Sequence, residues 1–510
     1  MESRLVAVLE TGSTGIRLLV AQVEENGQWK AVDSAGRPVS LGRDVFSSGE
    51  LSRESLLGCI SVLRDFAELL SGWGITPGDA HCIATSALRV AKNRDIFIDR
   101  IRQETGFCLS VVDGLEENRL MYLAVRFALG QDLPLFWRAN SMILEIGGGS
   151  TEAMLLRQGQ IVAAHSVKLG TITIERKMRR RAGSGFPDER HLRDAMRNTM
   201  VILAGQMDMA SVKTLVMIGT NAIVAAQHAG NRLNEHCLTI NRTDFSAFVG
   251  RIRNWTAEDC MRKLGISYAE TEGLVHGLLV LKAFFGETGA EKAVVPLASI
   301  REGCLVDLAL GVDPAFQEEF RSQITASAES LGRRYHYEEA HSLHVAKLCM
   351  RLFDALAKEH GMGSRQRTML ETAAILHDVG TIISASGHQK HGHYIVSNSD
   401  IFGISREELL VIANVVLYHR GEPPSEADVE YLGLQREDRI LVLKMASILR
   451  VADALDRGHS QKIKDIEVER SKAAVFLRSG GVPDISLELI SMEKKADLFQ
   501  DVFAYKIVLT

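Results

Sequence analysis

Two glycine-rich turns, each preceded by an acidic residue, are the first features able to do chemistry. One holds Glu10, Gly12, Ser13, Thr14 and Gly15; the other holds Glu145, Gly147, Gly148, Gly149, Ser150 and Thr151. Backbone N–H groups in such turns can reach a phosphate with no side chain in the way. The hydroxyls add donors, and an acid at the end of the preceding strand can hold Mg²⁺ directly or through water. Two such turns facing each other across a cleft would grip one phosphate from both sides. A second constellation lies far downstream: His341, the adjacent pair His377-Asp378, and Asp453. Converging from three helices, these would give mixed nitrogen and oxygen ligation with positions left open for water. That set suits Mn²⁺, Fe²⁺, Zn²⁺ or Mg²⁺. His344 is a further candidate one helical turn on, and His388, His391, His393 and His419 could extend the site to a second metal or bind phosphate.

The elements that must position these residues can be read from hydrophobic patterning. Residues 4–10 and 16–23 read as strands joined by the first turn, a β-hairpin. The same strand–turn–strand pattern returns at 141–146, 147–151 and 152–156. A third strand–turn unit, 214–222, ends in Gly219-Thr220. Helices are expected over 53–71, 92–104 and from near Glu116, with strands at 81–87 and 109–114. The repeated unit predicts two similarly folded halves facing each other, and the alternation of strands and helices predicts α/β layers. From about 312 long helical patterns take over: 314–333, 336–359, 364–378, 405–420 and 436–457. After about 465 strand patterns return at 463–469, 473–478, 485–490 and 504–510. The expected domains are therefore 1–127 and 128–311 (two lobes), 312–464 (helical) and 465–510 (a small α/β module).

The chain of 510 residues carries a formal net charge of −5, so no global basic field draws it to nucleic acid or anionic lipid. A polyanionic substrate would need a local basic groove. The run Arg176–Arg181, five basic residues in six, could line such a path or be a solvated helix face. Seven scattered cysteines without a CxxC pair point to reduced thiols and a cytoplasmic protein. The N-terminus lacks the pattern of a signal peptide. No apolar run approaches the ~18 residues of a membrane span. The dinucleotide fingerprint GxGxxG is absent, which speaks against NAD.

Segments spread over about 1–305 resemble the exopolyphosphatase/guanosine pentaphosphate phosphatase family. Glu10-Thr-Gly-Ser-Thr-Gly-Ile-Arg17 is similar to its D-x-G-S-N-S-x-R motif, and Glu145-Ile-Gly-Gly-Gly-Ser-Thr-Glu152 to D-I-G-G-G-S-T-E. Ala84–Asn93 matches A-T-x-A-L-R-x-A-x-N, and Gly114–Arg119 matches G-x-E-E-A-R. Ser166–Gly170, Gly219-Thr220 and Arg301–Gly303 follow in order. The resemblance implies an actin-like (ribonuclease H-like) α/β fold in two lobes and removal of terminal phosphate from polyphosphate or guanosine pentaphosphate, with Mg²⁺ or Mn²⁺. It implies Glu117, with Glu116 as the alternative, as the catalytic glutamate, and Glu152 as a second carboxylate near the nucleophile. Arg17 and Arg89 would neutralise phosphate, the turn residues and Gly219 would bind it, and Glu10 and Glu145 would hold the metal. The family has Asp at positions 10 and 145; the extra methylene here shifts each carboxylate by roughly 1.5 Å, enough to relocate a metal or admit a water. The His341, His377-Asp378, Asp453 pattern resembles the HD superfamily, implying an all-α HD-like domain with a divalent metal, followed by the β-rich module. A homodimer is what the family suggests. A nucleotide-binding sensor with weak hydrolysis, or a bifunctional enzyme whose HD site cleaves a second phosphoester, are the alternatives.

Overall fold

The computed structural model describes residues 3–132, 134, 138–182, 189–205, 207–271, 273–311, 313–425, 427–482 and 484–510. The side chains of 177–181, most of the basic run, lie outside the described residues. The chain divides into two compact units, Met1–Gln317 and Glu318–Thr510, and the division falls inside helix Pro314–Arg334.

The first unit contains two sheets built to one plan. The first is assembled from β1 (Ser3–Thr11), β2 (Gly15–Glu24), β3 (Trp29–Pro38), β4 (His81–Ala84) and β5 (Ser110–Val111), in the order 3-2-1-4-5. The second holds β6 (Asn140–Ile146), β7 (Thr151–Arg157), β8 (Gln160–Val167), β9 (Val212–Ile218), β10 (Asn231–Arg232), β11 (Cys237–Asn241) and β12 (Lys292–Pro296). Its order is β10-β11-β12-β9-β6-β7-β8, so the run β8-β7-β6-β9-β12 repeats the first sheet's plan. In each sheet the central strand pairs antiparallel with its hairpin partner and parallel with the next strand. The repeated turn motif predicted this duplication, and the arrangement agrees with the actin-like fold that the family resemblance implies. Val8 and Leu9 in β1, and Met142, Ile143 and Leu144 in β6, are fully buried. Strands covered on both faces need such continuous apolar runs. β3 went unread in the sequence because it is a largely exposed edge strand with little apolar signal. Helix Gly114–Leu129 runs through the expected lobe boundary at 127/128.

The second unit packs helices Glu339–Ala355, Ser364–Leu376, Arg406–Tyr418 and Arg436–Ala454 around one core that includes Val345, Leu370, Ile412 and Ile448. A three-stranded sheet follows, β13 (Glu467–Arg470), β14 (Ala474–Arg478) and β15 (Lys506–Leu509), in that order. The strand expected at 485–490 is instead the start of helix Ser486–Lys495. Its alternating apolar residues mimic a strand, but Glu488, Ser491 and Met492 share a buried face at i, i+3, i+4 spacing. At the start of this helix the Asp484 carboxylate accepts the Ser486 N–H at 3.1 Å. Among the described residues no helix is long and apolar enough to cross a membrane.

Candidate active site and metal cluster

The two glycine turns are built alike. Gly12 N–H donates to the Gly15 carbonyl at 3.0 Å, and Gly147 N–H to the Ser150 carbonyl at 2.9 Å. Each turn is also pinned by the start of a helix: Gly42 N–H donates to the Ser13 carbonyl (2.8 Å), and Ile172 N–H to the Gly148 carbonyl (3.0 Å). The turns meet. A Cβ on Gly148 would stand 2.9 Å from Ser13 Cβ, closer than two carbons pack, so glycine is what allows the approach.

A cavity of about 260 Å³ opens between them. Glu10, Gly12, Ser13, Thr14, Arg17, Glu117, Glu145, Gly147, Gly148, Ser150, Glu152 and Gly219 line it, together with Ser86 and Arg301. Gly15, Gly149, Thr151 and Arg89 do not line it. Thr151 closes the β6–β7 ladder opposite Ile146, and Gly15 ends the β2–β3 ladder opposite Pro38. Gly149 leaves room for Phe46, which a Cβ would strike at 2.2 Å. Arg89 reaches the site only through Glu117, whose Oε2 accepts its Nη1–H at 2.6 Å. Glu116 turns away: both its oxygens accept from Arg119 at 2.7 Å, and Arg119 continues to Asp307.

The strand register sets the carboxylates. Glu10 lies opposite Arg17, and Glu145 directly opposite Glu152. Arg17 Nη1 and Arg301 Nε come within 3.7 and 3.4 Å of Glu10. Glu152 accepts from Ser166 Oγ at 2.8 Å, and the buried Asn118 amide lies 3.5 Å from its other oxygen. Burial, reinforced by repulsion from Glu117 and Glu10, pushes Glu145 up to about 8. Burial raises Glu117 against the pull of Arg89, and burial with Glu117 nearby lifts Glu152 well above the carboxylate range. This pocket is rich in hard oxygen donors and short of positive charge, which fits a Mg²⁺-type cation. The role of Arg301 was missed in the sequence, although its motif was noted; nothing in a lone arginine tells that it folds back onto Glu10.

In the second unit His341, His377, Asp378 and Asp453 converge, and His388 and His419 join them. Every ring is oriented by its Nδ1: His341 to Asp456 at 2.8 Å, His377 to the Ala374 carbonyl at 2.8 Å, His419 to the Val416 carbonyl at 2.7 Å and His388 to the Ala385 carbonyl at 3.0 Å. Each Nε2 is thereby turned into the cluster. Those of His341 and His377 are buried without a hydrogen-bond partner. His377 Nε2 and His341 Nε2 lie 3.5 and 3.9 Å from Asp378 Oδ2, and His388 Nε2 and His419 Nε2 lie 3.0 and 3.6 Å from Asp378 Oδ1. Asp453 Oδ1 is 3.7 Å from His341 Nε2. Donors bound ~2.1 Å from one cation stand ~3.0–3.5 Å apart, so the spacing suits a metal. Oriented Nδ1 groups are the usual support of metal-bound imidazoles. Despite burial, the imidazoles of His377, His388 and His419 hold Asp378 far below the usual carboxylate range. Burial and His377 push His419 down to about 3.

His344 is not in the cluster; its Nε2 meets the Ile463 carbonyl at 2.9 Å. His391 and His393 are also outside the groups that could share a metal among the described residues. His459, unforeseen in the sequence, stacks on His341 with ring centroids 3.7 Å apart. Asp456 was also missed, although its place one turn after Asp453 was a readable signal.

The Ppx/GppA phosphatase family model matches residues 19–311, and the model of the same family's domain III matches residues 324–479. A guanosine-5'-triphosphate,3'-diphosphate pyrophosphatase of Photobacterium profundum is 24% identical over 505 residues, covering 97% of this chain and 96% of that one. One of Pseudoalteromonas atlantica is 25% identical over 468 residues, covering 88% and 86%. Among solved structures, an exopolyphosphatase from Cytophaga hutchinsonii has a TM-score of 0.54 at 19% identity, covering 61% of this chain and 99% of that one. The Aquifex aeolicus family member gives 0.50 at 21% identity, with 61% and 99% covered. The two family matches together run through both units, and the chain belongs to the Ppx/GppA phosphatase family.

Proposed function

We propose that the cleft of the first unit releases the terminal phosphate of inorganic polyphosphate or guanosine pentaphosphate. The observation that carries this is the approach of Gly148 to Ser13, with Glu117 lining the cavity between the two turns. Backbone N–H groups of both turns would cradle the terminal phosphoryl group, and Arg17 would neutralise it. Glu117 would orient and deprotonate the attacking water, with Arg89 holding its carboxylate. Glu152 would be the second carboxylate near that water. Glu10 and Glu145 would hold Mg²⁺ or Mn²⁺, which when bound would neutralise charge developing on the phosphate oxygens. The relatives' printed names support both substrates.

The same reading has four domains, with an HD-like helical domain and a small C-terminal module in the second unit, and places the enzyme in the cytoplasm as a homodimer. In the HD-like domain His341, His377, Asp378 and Asp453 would hold a divalent cation able to activate water for a second phosphoester cleavage. The unpartnered Nε2 atoms favour that bifunctional version.

A phosphate-release panel over polyphosphates of several lengths, guanosine pentaphosphate and ATP tests the proposal. Wild-type protein should release phosphate, and Glu117→Gln should lower the rate by ~10²–10⁴ while retaining substrate binding. Binding without release in the wild type would favour a sensor. His377→Ala should leave this activity intact.

A further inference from the structure

Helix Ser486–Lys495 ends inside the histidine–aspartate cluster. The Lys495 ammonium contacts Asp453 Oδ2 directly, leaving Oδ1 to face His341. The placement is tied down. Arg450, one turn before Asp453 and 2% exposed, donates through Nε to the Lys495 carbonyl at 3.2 Å and through Nη2 to Asp497 at 2.9 Å. Its Nη1 donates to the Gly421 carbonyl at 2.8 Å. The backbone of Lys495 is thus fixed both to the helix that carries Asp453 and to the loop that follows His419.

We propose that Lys495 determines the metal specificity of this cluster: by taking one oxygen of Asp453 it makes a nitrogen-dominated transition-metal site that refuses Mg²⁺. The inference rests on reading the cluster as a metal site. Imidazole nitrogen suits Zn²⁺, Co²⁺, Ni²⁺ and Fe²⁺, whereas Mg²⁺ is held by carboxylate charge and oxygen number. Lys495 subtracts from both. It offsets the charge of one of the two candidate ligand carboxylates, Asp378 and Asp453, and prevents Asp453 from binding through both oxygens. A dication beside it is also repelled across a poorly screened interior. The cost falls hardest on the cation that gains least from nitrogen, which is Mg²⁺. The first unit's cleft has the opposite donor set, so one chain sorts two kinds of cation by donor type.

The test uses full-length protein stripped with a chelator and titrated with Co²⁺, whose visible bands report nitrogen ligation, followed by competition with Mg²⁺. In the wild type the bands should form and survive millimolar-order Mg²⁺. Lys495→Met and Lys495→Gln should bind Co²⁺ about tenfold more tightly and lose it to Mg²⁺ at markedly lower concentration, while Lys495→Arg, which keeps the charge, behaves as wild type. If His377→Ala abolishes the bands but all three Lys495 variants match wild type, the role of Lys495 is overturned and the metal site stands. If His377→Ala keeps the wild-type bands, the metal reading itself falls, and this inference with it.

Discussion

In the cleft of the first unit, burial and mutual repulsion push Glu145 up to about 8 and raise Glu117 and Glu152. In the helical cluster Asp378 and Asp453 are also largely withdrawn from solvent, yet both are held well below the ordinary carboxylate range. Depth is similar, so the neighbours make the difference. For Asp453, burial is outweighed by the Lys495 ammonium and the imidazoles of His377 and His419. In the cleft, Arg17, Arg89 and Arg301 do not match four converging glutamates. In the proposed reading a cation bound in the cleft would offset this excess before an anionic phosphate chain enters, whereas the cluster largely compensates itself. A site that binds a charged substrate transiently gains from such a deficit, because metal and phosphate then stabilise each other's presence.

The largest expected effect that would break this comparison comes from closing the gap between the turns. Gly148→Ala would drive a methyl into Ser13 Cβ, and only movement of a turn could relieve it. Phosphate release should fall by about tenfold to a hundredfold, since sub-ångström misplacement of a reacting phosphate is costly. The Co²⁺ spectrum of the cluster should not change. A shifted spectrum would show the two regions to be coupled, and an unchanged rate would mean that the turns do not both touch the phosphate.

Glu145→Gln sharpens the electrostatic side of the comparison. Glu145 ionises near 4.5 when unfolded and at about 8 when folded. The folded state binds the extra proton in that window, so stability present below pH 4.5 is lost as pH rises through about 8. Glutamine has no such loss. In chelator-treated protein the variant should melt close to wild type at pH 5 and a few degrees higher, about 2–4 °C, at pH 8.5. Equal melting at both pH values would mean that Glu145 carries no excess buried charge.

The sequence was most legible where chemistry and local geometry coincide. The Glu-x-Gly and Glu-x-Gly-Gly-Gly turns had to follow strands, and β1–β2 and β6–β7 are where the hairpin pattern placed them. Helices Glu339–Ala355, Ser364–Leu376, Arg406–Tyr418 and Arg436–Ala454 lie within a few residues of their expected spans, whereas helix His388–Ser397 was not read. What could not be read is what depends on long-range return. Lys495 reaches Asp453 across 42 residues and Arg301 reaches Glu10 across 291, with nothing local to mark either. The 485–490 stretch failed for a related reason: its alternation says strand, and only tertiary burial of Glu488 and Met492 makes it a helix.

The smallest effect separates the two neighbouring glutamates at the start of helix Gly114–Leu129. Both sit in the first turn, where acids are favoured by the helix dipole whatever their function. Glu117 is 7% exposed and faces the cavity; Glu116 is half-buried against Arg119. Because Arg119 keeps two bonds to Asp307, at 2.7 and 2.9 Å, Glu116→Gln removes only part of a network. Its expected cost is about 1 kcal/mol of stability or less, after allowing for solvent screening. Phosphate release should stay within about twofold of wild type, since no proton transfer passes through Glu116. A loss as large as that of Glu117→Gln would reverse the two assignments, because an ion pair pointing out of the cleft cannot aim a water into it.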